Sequence, residues 1–582
     1  MVVSVKRTGI LAAAALLFLN QPLAANDNVA STWEIADYLR GRAAILNQDF
    51  DLASESLDRL VEAHPDHPHF LGQALQSAIA TGEFDRAIEF SRKLDATDPG
   101  KNDLAVNLLV ATEILDGNIA GAIDRYEKSG IGLNDAFWRI LRAWSHFEEG
   151  RFQDAELELT QAAEDDPLRS ITQYHLALMM GVQGRHKEAD EILVGISGPG
   201  ARLPGSLAAR IIQARTGFLI RQGLLEEARE ISTFLPEPLP GLASEELKQL
   251  SAMLSGDGSA DVDIASTAAE GISGFFAQVG ETYRQNSDYS TALAYSRLAM
   301  FLDQDNIARR LEVADTLGGL ESWTIAEREF ARVPQSEPLH RYAAIGRANA
   351  LHNLGRGDEA YGLLENLAGS GNNSINLQME IGELSRLGLD YERALGAYNA
   401  AVELVETEHA VLPGEAPADN PASDTWLPYY LRAITYFDLD RWEEAKSDFR
   451  TAVEMSGENP YVLNYLGYSL ADRNESLEEA EQLIVKAVNQ MPENGAFVDS
   501  LGWVFYRQGR FEESLEQMEL AIKLEPLDPV VMDHLGDVYW QVGRKREARF
   551  HWNRALSYDN EITDEELIRQ KLETGLEGAA QP

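Results

Sequence analysis

Three histidines near the start of the chain have the side chains best suited to metal binding. His64, His67 and His69 lie within six residues, with one aspartate between them. Imidazole and carboxylate groups are ligands that Zn²⁺ and Ni²⁺ accept. Pro65 and Pro68 restrict how these ligands converge, and proline also stops a helix because it lacks a backbone N–H. The segment is therefore either a weak metal site or a turn between two helices, and we expect no bound metal or other cofactor.

Catalytic motifs are missing from the rest of the sequence. It contains no G-x-S-x-G, H-E-x-x-H or G-x-x-x-x-G-K-[ST] pattern. None of the 582 residues is cysteine, which excludes disulfides, thiol catalysis and cysteine-ligated metals for this sequence. Because the chain has 94 Asp and Glu residues, a pair of neighbouring carboxylates does not identify a catalytic acid and base. We therefore predict a protein that is not an enzyme.

The net charge of the chain argues against one class of partner, the nucleic acids. The 50 Lys and Arg residues against 94 Asp and Glu give a formal net charge of −44. Nucleic-acid binding needs a basic surface for phosphates, so this balance argues against DNA or RNA as a partner. Hydrophobic residues make up 45% of the chain, which is too high a share for a disordered protein.

Residues 1–25 have the features of a secretory signal peptide. Lys6 and Arg7 precede the apolar run 10–19, and Leu23-Ala24-Ala25 supplies small residues for cleavage after Ala25. The apolar run is much shorter than the roughly 20 residues that span a bilayer. The alternative is an uncleaved anchor. We expect a bacterial protein of the periplasm or cell envelope, without a later transmembrane segment and, lacking cysteine, without a lipid anchor.

Helical repeats fill the rest of the chain. Glycines 502 and 536 lie 34 residues apart, as do Ser514 and Ala548, and Pro492 and Pro526. Within each repeat the apolar residues recur at spacings of three and four, which is the period of a helix. Small residues allow two helices to approach closely, and proline ends the second helix. Each helix pair buries little surface alone, so stacking of successive pairs supplies the core.

This pattern resembles the tetratricopeptide repeat (TPR) family. Residues 495–528 match the family's small and apolar positions at Val498, Leu501, Gly502, Phe505, Ser514, Met518, Ala521 and Pro526. The resemblance covers nearly all of the chain after residue 25. It implies an all-α fold, an α-solenoid of about 14 helix-turn-helix repeats forming a right-handed superhelix with a concave face.

The repeats predict the domain organisation. We expect an N-terminal array over 26–239, a Pro/Gly/Ser-rich linker or degenerate repeat over 240–272, and a middle array over 273–405. An exposed insertion loop over 406–425 precedes a C-terminal array over 426–561, and a capping helix and tail occupy 562–582. The segment 236–272 is either a hinge or a degenerate repeat.

The resemblance also implies where a partner would bind. In the family, first helices line the concave groove, and the corresponding residues here are Tyr430, Phe437, Asn464, Tyr468, Asp499, Trp503, Tyr506, Arg507, Asp533, Asp537 and Trp540. Aromatic side chains on an open face are typical anchors of protein interfaces, and the alternative is that they pack between repeats. A second, weaker patch comprises Phe137, Trp144 and Phe147. The carboxylates would repel a peptide C-terminus, so we expect partners with apolar, neutral or basic surfaces.

These expectations combine into a function. The runs 499–504 and 533–540 look like those of large bacterial envelope TPR proteins, some of which deliver substrates to a carboxy-terminal processing protease. We expect an exported adaptor that binds proteins in its groove and delivers them to such a periplasmic protease. The alternative is an assembly factor for a cell-envelope, surface-polymer or secretion complex. The sequence leaves the partner and the oligomeric state open.

Overall fold

The structure is a computed structural model that describes residues 32–97, 99–130, 135–161, 169–197, 205–232, 265–337, 339–410, 425–558 and 564–576. The chain divides into two compact units. Unit 1 is Met1–Leu354 and unit 2 is Gly355–Pro582. The predicted signal peptide, most of the predicted linker and most of the predicted insertion loop lie outside the described residues.

Unit 1 consists of seventeen helices over its described residues. They are α1 (Thr32–Leu46), α2 (Phe50–Ala63), α3 (Pro68–Thr81), α4 (Phe84–Thr97), α5 (Asp103–Leu115), α6 (Ile119–Ser129), α7 (Asp135–Glu148), α8 (Phe152–Thr160), α9 (Arg169–Val182), α10 (His186–Ile196), α11 (Gly205–Gln222), α12 (Leu225–Ser232), α13 (Ala268–Gln285), α14 (Tyr289–Leu302), α15 (Ile307–Gly319), α16 (Trp323–Ala331) and α17 (His340–Asn353).

Unit 2 continues the same succession of antiparallel helices. Its described α-helices are α18 (Gly357–Leu367), α19 (Ile375–Leu387), α20 (Tyr391–Ala410), α21 (Leu427–Asp438), α22 (Trp442–Met455), α23 (Pro460–Asp472), α24 (Leu477–Gln490), α25 (Gly495–Arg507), α26 (Phe511–Leu524), α27 (Pro529–Gln541), α28 (Lys545–Ala555) and α29 (Glu565–Thr574). A short π-helix, Ala368–Asn372, follows α18.

The all-α fold and the fourteen predicted repeats are confirmed. In chain order, the described helices α1 to α28 make fourteen successive helix-turn-helix pairs, with α17 and α18 on either side of the boundary between the units, and α29 caps the last pair. In every pair one residue, one or two positions after the end of the first helix, has a positive φ, the left-handed conformation that glycine adopts without a steric penalty. Eight of these residues are glycines and six are other types, namely Gly82, Gly117, Gly150, Gly184, Gly223, Gly355, Gly509, Gly543, Gln48, Ser287, Glu321, Leu389, Asp440 and Asn474.

The small residues of the repeat permit close helix contact, as the spacing predicts. A Cβ atom on Gly536 would lie 2.4 Å from the indole nitrogen of Trp552, and one on Gly467 would lie 2.6 Å from Ile484. Polar caps set the start of many first helices, because a side-chain oxygen satisfies an unpaired backbone N–H there. Asn494 accepts from the backbone N–H of Phe497 at the start of α25.

Helices α13 and α14 lie on the first-helix face of the preceding repeats in unit 1. Helix α13 packs against α5, α7 and α11, and α14 packs against α3 and α5. Phe137 on α7 lies 5.0 Å from Phe275 and 5.5 Å from Phe276, measured between ring centroids. A Cβ atom on Gly271 would lie only 2.1 Å from the Trp144 ring, so α13 approaches α7 closely there.

This packing corrects the expectation for the weaker aromatic patch. The side chains of Phe137 and Trp144 are completely buried, and Phe147 is 8% exposed. They lie under α13 rather than on an open surface. The repeat pattern reports which face of a helix is apolar, but it does not report that a later part of the chain covers that face.

A buried charge pair also joins these parts of unit 1. Arg297 on α14 donates to Glu329 on α16 at 2.7 Å and to the backbone carbonyl of Ala80, near the end of α3, at 2.7 Å. Both charged side chains are almost fully buried. Burial is unfavourable for the charged forms, and Glu329 also accepts from Arg310 and Arg332, which helps to compensate.

Candidate protein-binding groove

Six half-buried aromatic side chains lie on the first helices α21, α23 and α25 of unit 2. Tyr436 lies beside Arg432 and Arg441, and the other five are Tyr430, Phe437, Tyr465, Tyr468 and Tyr506. The ring of Tyr465 lies 5.7 Å from Tyr430 and 6.4 Å from Phe437, so the side chains of neighbouring repeats meet. We call these five residues the aromatic groove. Their partly exposed rings offer apolar contact area together with hydroxyl groups.

Helical spacing places two of the groove residues, Tyr465 and Tyr468, on one stripe of α23 with Tyr461 and Asp472. The four residues follow one another at spacings of four, three and four, which is one face of a helix. The groove positions of the family pattern include Tyr468 but not Tyr465, which is therefore missing from the predicted groove. The spacing itself would have identified Tyr465.

Carboxylates lie beside the tyrosines. Burial raises the pKa of Tyr430 to about 12. Burial also raises the pKa of Tyr465, and the negative charge of the nearby Asp438 raises it further. Burial and the nearby Asp472 and Asp499 raise the pKa of Tyr468. These tyrosines are therefore uncharged hydrogen-bonding groups at neutral pH. The sequence analysis also misses Asp438 and Asp472, which follow the last aromatic residues of α21 and α23.

Two residues predicted for an open groove surface are buried instead. Trp503 is 4% exposed and Asp499 is 5% exposed. Asp499 forms a 2.9 Å hydrogen bond to Nδ1 of His534, and the Trp503 ring stacks between those of His534, at 4.2 Å, and Tyr506, at 4.9 Å. For these two residues the structure favours the alternative of packing between repeats, because α27 packs beside α25 and supplies His534.

The capping helix covers the predicted carboxylates of the last repeat. Lys571 on α29 donates to Asp533 at 2.9 Å and to Asp537 at 2.8 Å, and Trp552 also donates to Asp537, at 2.9 Å. Burial, followed by the nearby Asp533, raises the pKa of Asp537 to about 6 despite the opposing charge of Lys571. The expectation that these carboxylates are free to select a partner is therefore corrected.

The remaining predicted groove residues have mixed environments. Trp540 is 7% exposed and lies 5.4 Å from Trp552, so it belongs to the core of the last repeat. Asn464 and Arg507 are half-buried, and the Arg507 guanidinium lies 5.8 Å from the Trp503 ring centroid. The open part of the predicted groove therefore lies on α21, α23 and α25, and its end at α27 is closed by α29.

The histidine cluster does not assemble as a metal site. His64 contacts Glu34 at 2.9 Å, His67 stacks on Phe70 at 4.2 Å, and His69 contacts the Tyr38 hydroxyl at 3.2 Å. The three rings therefore face different partners. Over the described ranges, no group of three His, Cys, Asp or Glu side chains has the geometry to hold a metal ion. The same ranges contain no helix that is both long and apolar enough to cross a membrane.

Comparison with protein families finds tetratricopeptide repeats in both units. One family model, described as a tetratricopeptide repeat, matches residues 38–102, 140–193 and 430–496. A second model with the same description matches residues 341–366. The matched segments coincide with helix pairs of the structure.

Similarity to individual proteins is partial. A TPR repeat-containing protein of Pseudomonas aeruginosa is 35% identical over 108 residues, 19% of this chain and 18% of that protein. DnaJ homolog subfamily C member 3 of Gallus gallus is 23% identical over 44% of this chain and 52% of that protein. The chain thus spans about half or less of these curated relatives.

Solved structures align along most of the chain, with low scores. The crystal structure of the APC/C hetero-tetramer Cut9-Hcn1 is 14% identical, covers 94% of this chain and 97% of its own, and has a TM-score of 0.36. Yeast Tom70 is 13% identical, with 93% and 95% coverage and a TM-score of 0.35. Together, the helix pairs and the family matches show that the chain contains tetratricopeptide repeats in both units.

Proposed function

We propose that the chain is an exported, non-enzymatic scaffold that binds protein partners through the aromatic groove of unit 2. Tetratricopeptide repeats indicate a protein–protein interaction scaffold. One observation supports this site: Tyr430, Tyr465 and Tyr468 on α21 and α23 remain partly exposed, whereas Phe137 and Trp144 on the first helix α7 of unit 1 are completely buried under α13.

The chemistry of the groove suits a protein partner. A tyrosine ring contributes a large apolar contact area at the cost of ordering few rotatable bonds, and its hydroxyl hydrogen-bonds at the edge of the contact. Four of the five groove residues are tyrosines. Anchors of this kind commonly carry most of the free energy of binding in an interface.

The place of action and the process are further parts of the proposal. The basic, apolar and small residues of 1–25 support export to the periplasm or cell envelope. There the scaffold would deliver bound proteins to a carboxy-terminal processing protease. The second candidate is assembly of an envelope, surface-polymer or secretion complex.

Site-specific cross-linking in the native host tests the proposal. A photoreactive amino acid at Tyr465 would react with a partner bound in the groove. Leu520, which is 41% exposed on the second helix α26, is the matched control position. We expect a discrete cross-linked protein from position 465 and none from position 520, after fractionation of periplasm and cytoplasm.

The cross-linked product distinguishes the candidates. A protease together with its substrates supports delivery, whereas subunits of one envelope machine support assembly. Equal labelling from both positions would contradict the groove. Recovery of the chain in the cytoplasm with residues 1–25 intact would contradict export.

A further inference from the structure

Three buried polar atoms without hydrogen-bond partners lie on neighbouring first helices of unit 2. They are Oδ1 of Asn464, Oδ1 of Asp499 and Nε1 of Trp503, none of which is paired within the described residues. Asp499 and Trp503 are four residues apart on α25, and Asn464 holds the position on α23 that Asp499 holds on α25, 35 residues later. Buried polar atoms are nearly always hydrogen-bonded, so such a group needs an explanation.

The surroundings of these atoms are acidic. Asp499 bonds His534 through its other oxygen, Oδ2, which leaves the acceptor capacity of Oδ1 unused. Tyr468, on the same helix as Asn464, lies in the field of Asp472, Asp499 and Asp533. No ion pair reaches Asp472 within the described residues of unit 2. Three cations face these carboxylates. His534 bonds to Asp499, and Lys571 bonds to Asp533 and Asp537. The Arg507 guanidinium lies 5.8 Å from the Trp503 ring centroid.

Aromatic rings border the same place. Trp503 stacks against Tyr506 at 4.9 Å, and the Tyr468 ring lies 6.4 Å from that of His534. The face of the Tyr468 ring attracts cations, most strongly where water is excluded, whereas both faces of Trp503 are already covered by His534 and Tyr506. Carboxylate and amide oxygens beside such rings form a site for an ammonium or guanidinium group.

We propose that Asn464, Tyr468, Asp472, Asp499 and Trp503 form a cation site that binds an arginine or lysine side chain of the protein partner. We call these five residues the Asp499 site. The guanidinium or ammonium group donates to Asp499 Oδ1 and Asn464 Oδ1, while Asp472 supplies a second negative charge. A backbone carbonyl of the same partner segment accepts from Trp503 Nε1. The inference rests on the proposed function, because the site adjoins the aromatic groove.

Entry to the site follows from movement of Tyr468 and Arg507, which are half-buried and have rotatable bonds that let them turn toward solvent. The Arg507 guanidinium lies 5.8 Å from the Trp503 ring centroid, and the Tyr468 ring lies 6.4 Å from that of His534. The formal net charge of −44 favours the approach of a basic segment over long range. The partner is thus a protein with a basic residue next to apolar ones, which fills the tyrosine positions and the Asp499 site together.

Nuclear magnetic resonance of the indole N–H groups tests the site directly. The chain has nine tryptophans, and the Trp503→Phe variant identifies the resonance of Trp503 in ¹⁵N-tryptophan-labelled protein. The probe is N-acetyl-arginine methylamide, which carries one guanidinium and two backbone carbonyls. We expect a saturable shift of the Trp503 indole resonance at millimolar probe. N-acetyl-norleucine methylamide, which has no charge, should leave it unchanged.

Two substitutions distinguish binding of the arginine probe at the Asp499 site from nonspecific attraction of a positive probe to an acidic protein. Asp472→Asn should weaken probe binding about ten-fold. The control Glu512→Gln removes the same charge from an exposed position of α26 and should change binding less than two-fold. No shift of Trp503, or an equal loss in both variants, would overturn the Asp499 site.

The two proposals fail in different ways. If Trp503 does not respond to the arginine probe but position 465 still cross-links a partner, the groove stands and the cation site falls. If position 465 captures nothing while Trp503 responds, the structure has a cation site and the proposed scaffold function is wrong.

Discussion

Units 1 and 2 use the same repeat for different purposes. In unit 1 the first-helix face is covered by α13 and α14, which bury Phe137 and Trp144 completely. In unit 2 helices pack mainly against their neighbours in the chain, and Tyr430, Tyr465 and Tyr468 stay half-buried. Other helices of the chain cover the apolar first-helix face in unit 1. Among the described residues of unit 2 this face is partly open, which leaves room for a partner protein. Substitutions should therefore cost stability in unit 1 and partner binding in unit 2.

The largest expected effect is on unit 1. Phe276 is fully buried and its ring stacks 5.5 Å from that of Phe137. Phe276→Ala removes this contact and leaves a cavity, so we expect a loss of about 3–5 kcal/mol in the free energy of unfolding of unit 1. Peptide-resolved hydrogen exchange measures this loss separately for each unit.

A conservative variant supplies the control for that experiment. Phe276→Leu keeps most of the apolar volume and should recover most of the stability. Protection of α13 and α7 should fall together in Phe276→Ala, while unit 2 keeps its protection. Unchanged protection of α7 would show that α13 does not hold the first-helix face.

Lys571 should give the next largest effect, at the closed end of unit 2. Lys571→Met leaves Asp533 and Asp537 without their buried cation, and breaking such a pair costs about 3 kcal/mol. Because the pKa of Asp537 is raised above its value in the unfolded chain, protonation relieves the repulsion at low pH. The loss should therefore be smaller at pH 5 than at pH 8.

Exchange of the α29 amides measures this effect. Arg569→Met is the matched control, because Arg569 pairs with Glu565 on the exposed side of the same helix. Exposed pairs of this type contribute about 1 kcal/mol or less. Equal exchange in the two variants would mean that Lys571 does not attach α29 to the last repeat.

The sequence predicts the repeats well because the repeat is a local property. Glycine at 509 and 543 and small residues at 502 and 536 report turns and close contacts between adjacent helices, and the structure has both. Contacts between distant parts of the chain leave no such periodic trace. Neither the covering of Trp144 by α13 nor the Lys571 pair with Asp537 follows from spacing, so the sequence left open whether Trp144, Trp503 and Asp537 are exposed.

The groove tyrosines should affect binding more than folding. Tyr465→Ala removes a half-buried ring between Tyr430 and Phe437, and we expect about 2–4 kcal/mol weaker binding of the cross-linked partner. Tyr461→Ala is the control, because Tyr461 is 52% exposed on the same helix and contacts Phe497. Calorimetric titration compares the two. A similar loss in both variants, or unfolding of unit 2 by Tyr465→Ala, would remove Tyr465 from the interface.

The smallest expected effect contrasts two buried histidines. Burial lowers the pKa of His175 in unit 1 to about 3, and its Nδ1 accepts from Trp144. His534 in unit 2 is equally buried, but its bond to Asp499 and the charges of Asp533 and Asp537 outweigh burial and raise its pKa. One histidine is therefore neutral in the folded protein and the other favours the charged form.

These opposite shifts give opposite contributions to stability as a function of pH. His175 binds fewer protons when folded, so its contribution is present above about pH 6.5 and is lost as the pH falls, by no more than about 2 kcal/mol at pH 5. His534 binds protons more tightly when folded, so its contribution is present below about pH 6.5 and is lost as the pH rises through its folded-state pKa. Asp499, Asp533, Asp537 and Lys571 all face His534, and their own titration adds to the profile.

The comparison therefore needs the variants His175→Gln and His534→Gln, with hydrogen exchange corrected for the intrinsic rate at each pH. Between pH 8 and pH 5 we expect His175→Gln to reduce the acid-induced loss in unit 1 and His534→Gln to increase it in unit 2. A change of the same sign in both units would contradict the assigned difference between the two histidines, since only the carboxylate partner distinguishes their otherwise equal burial.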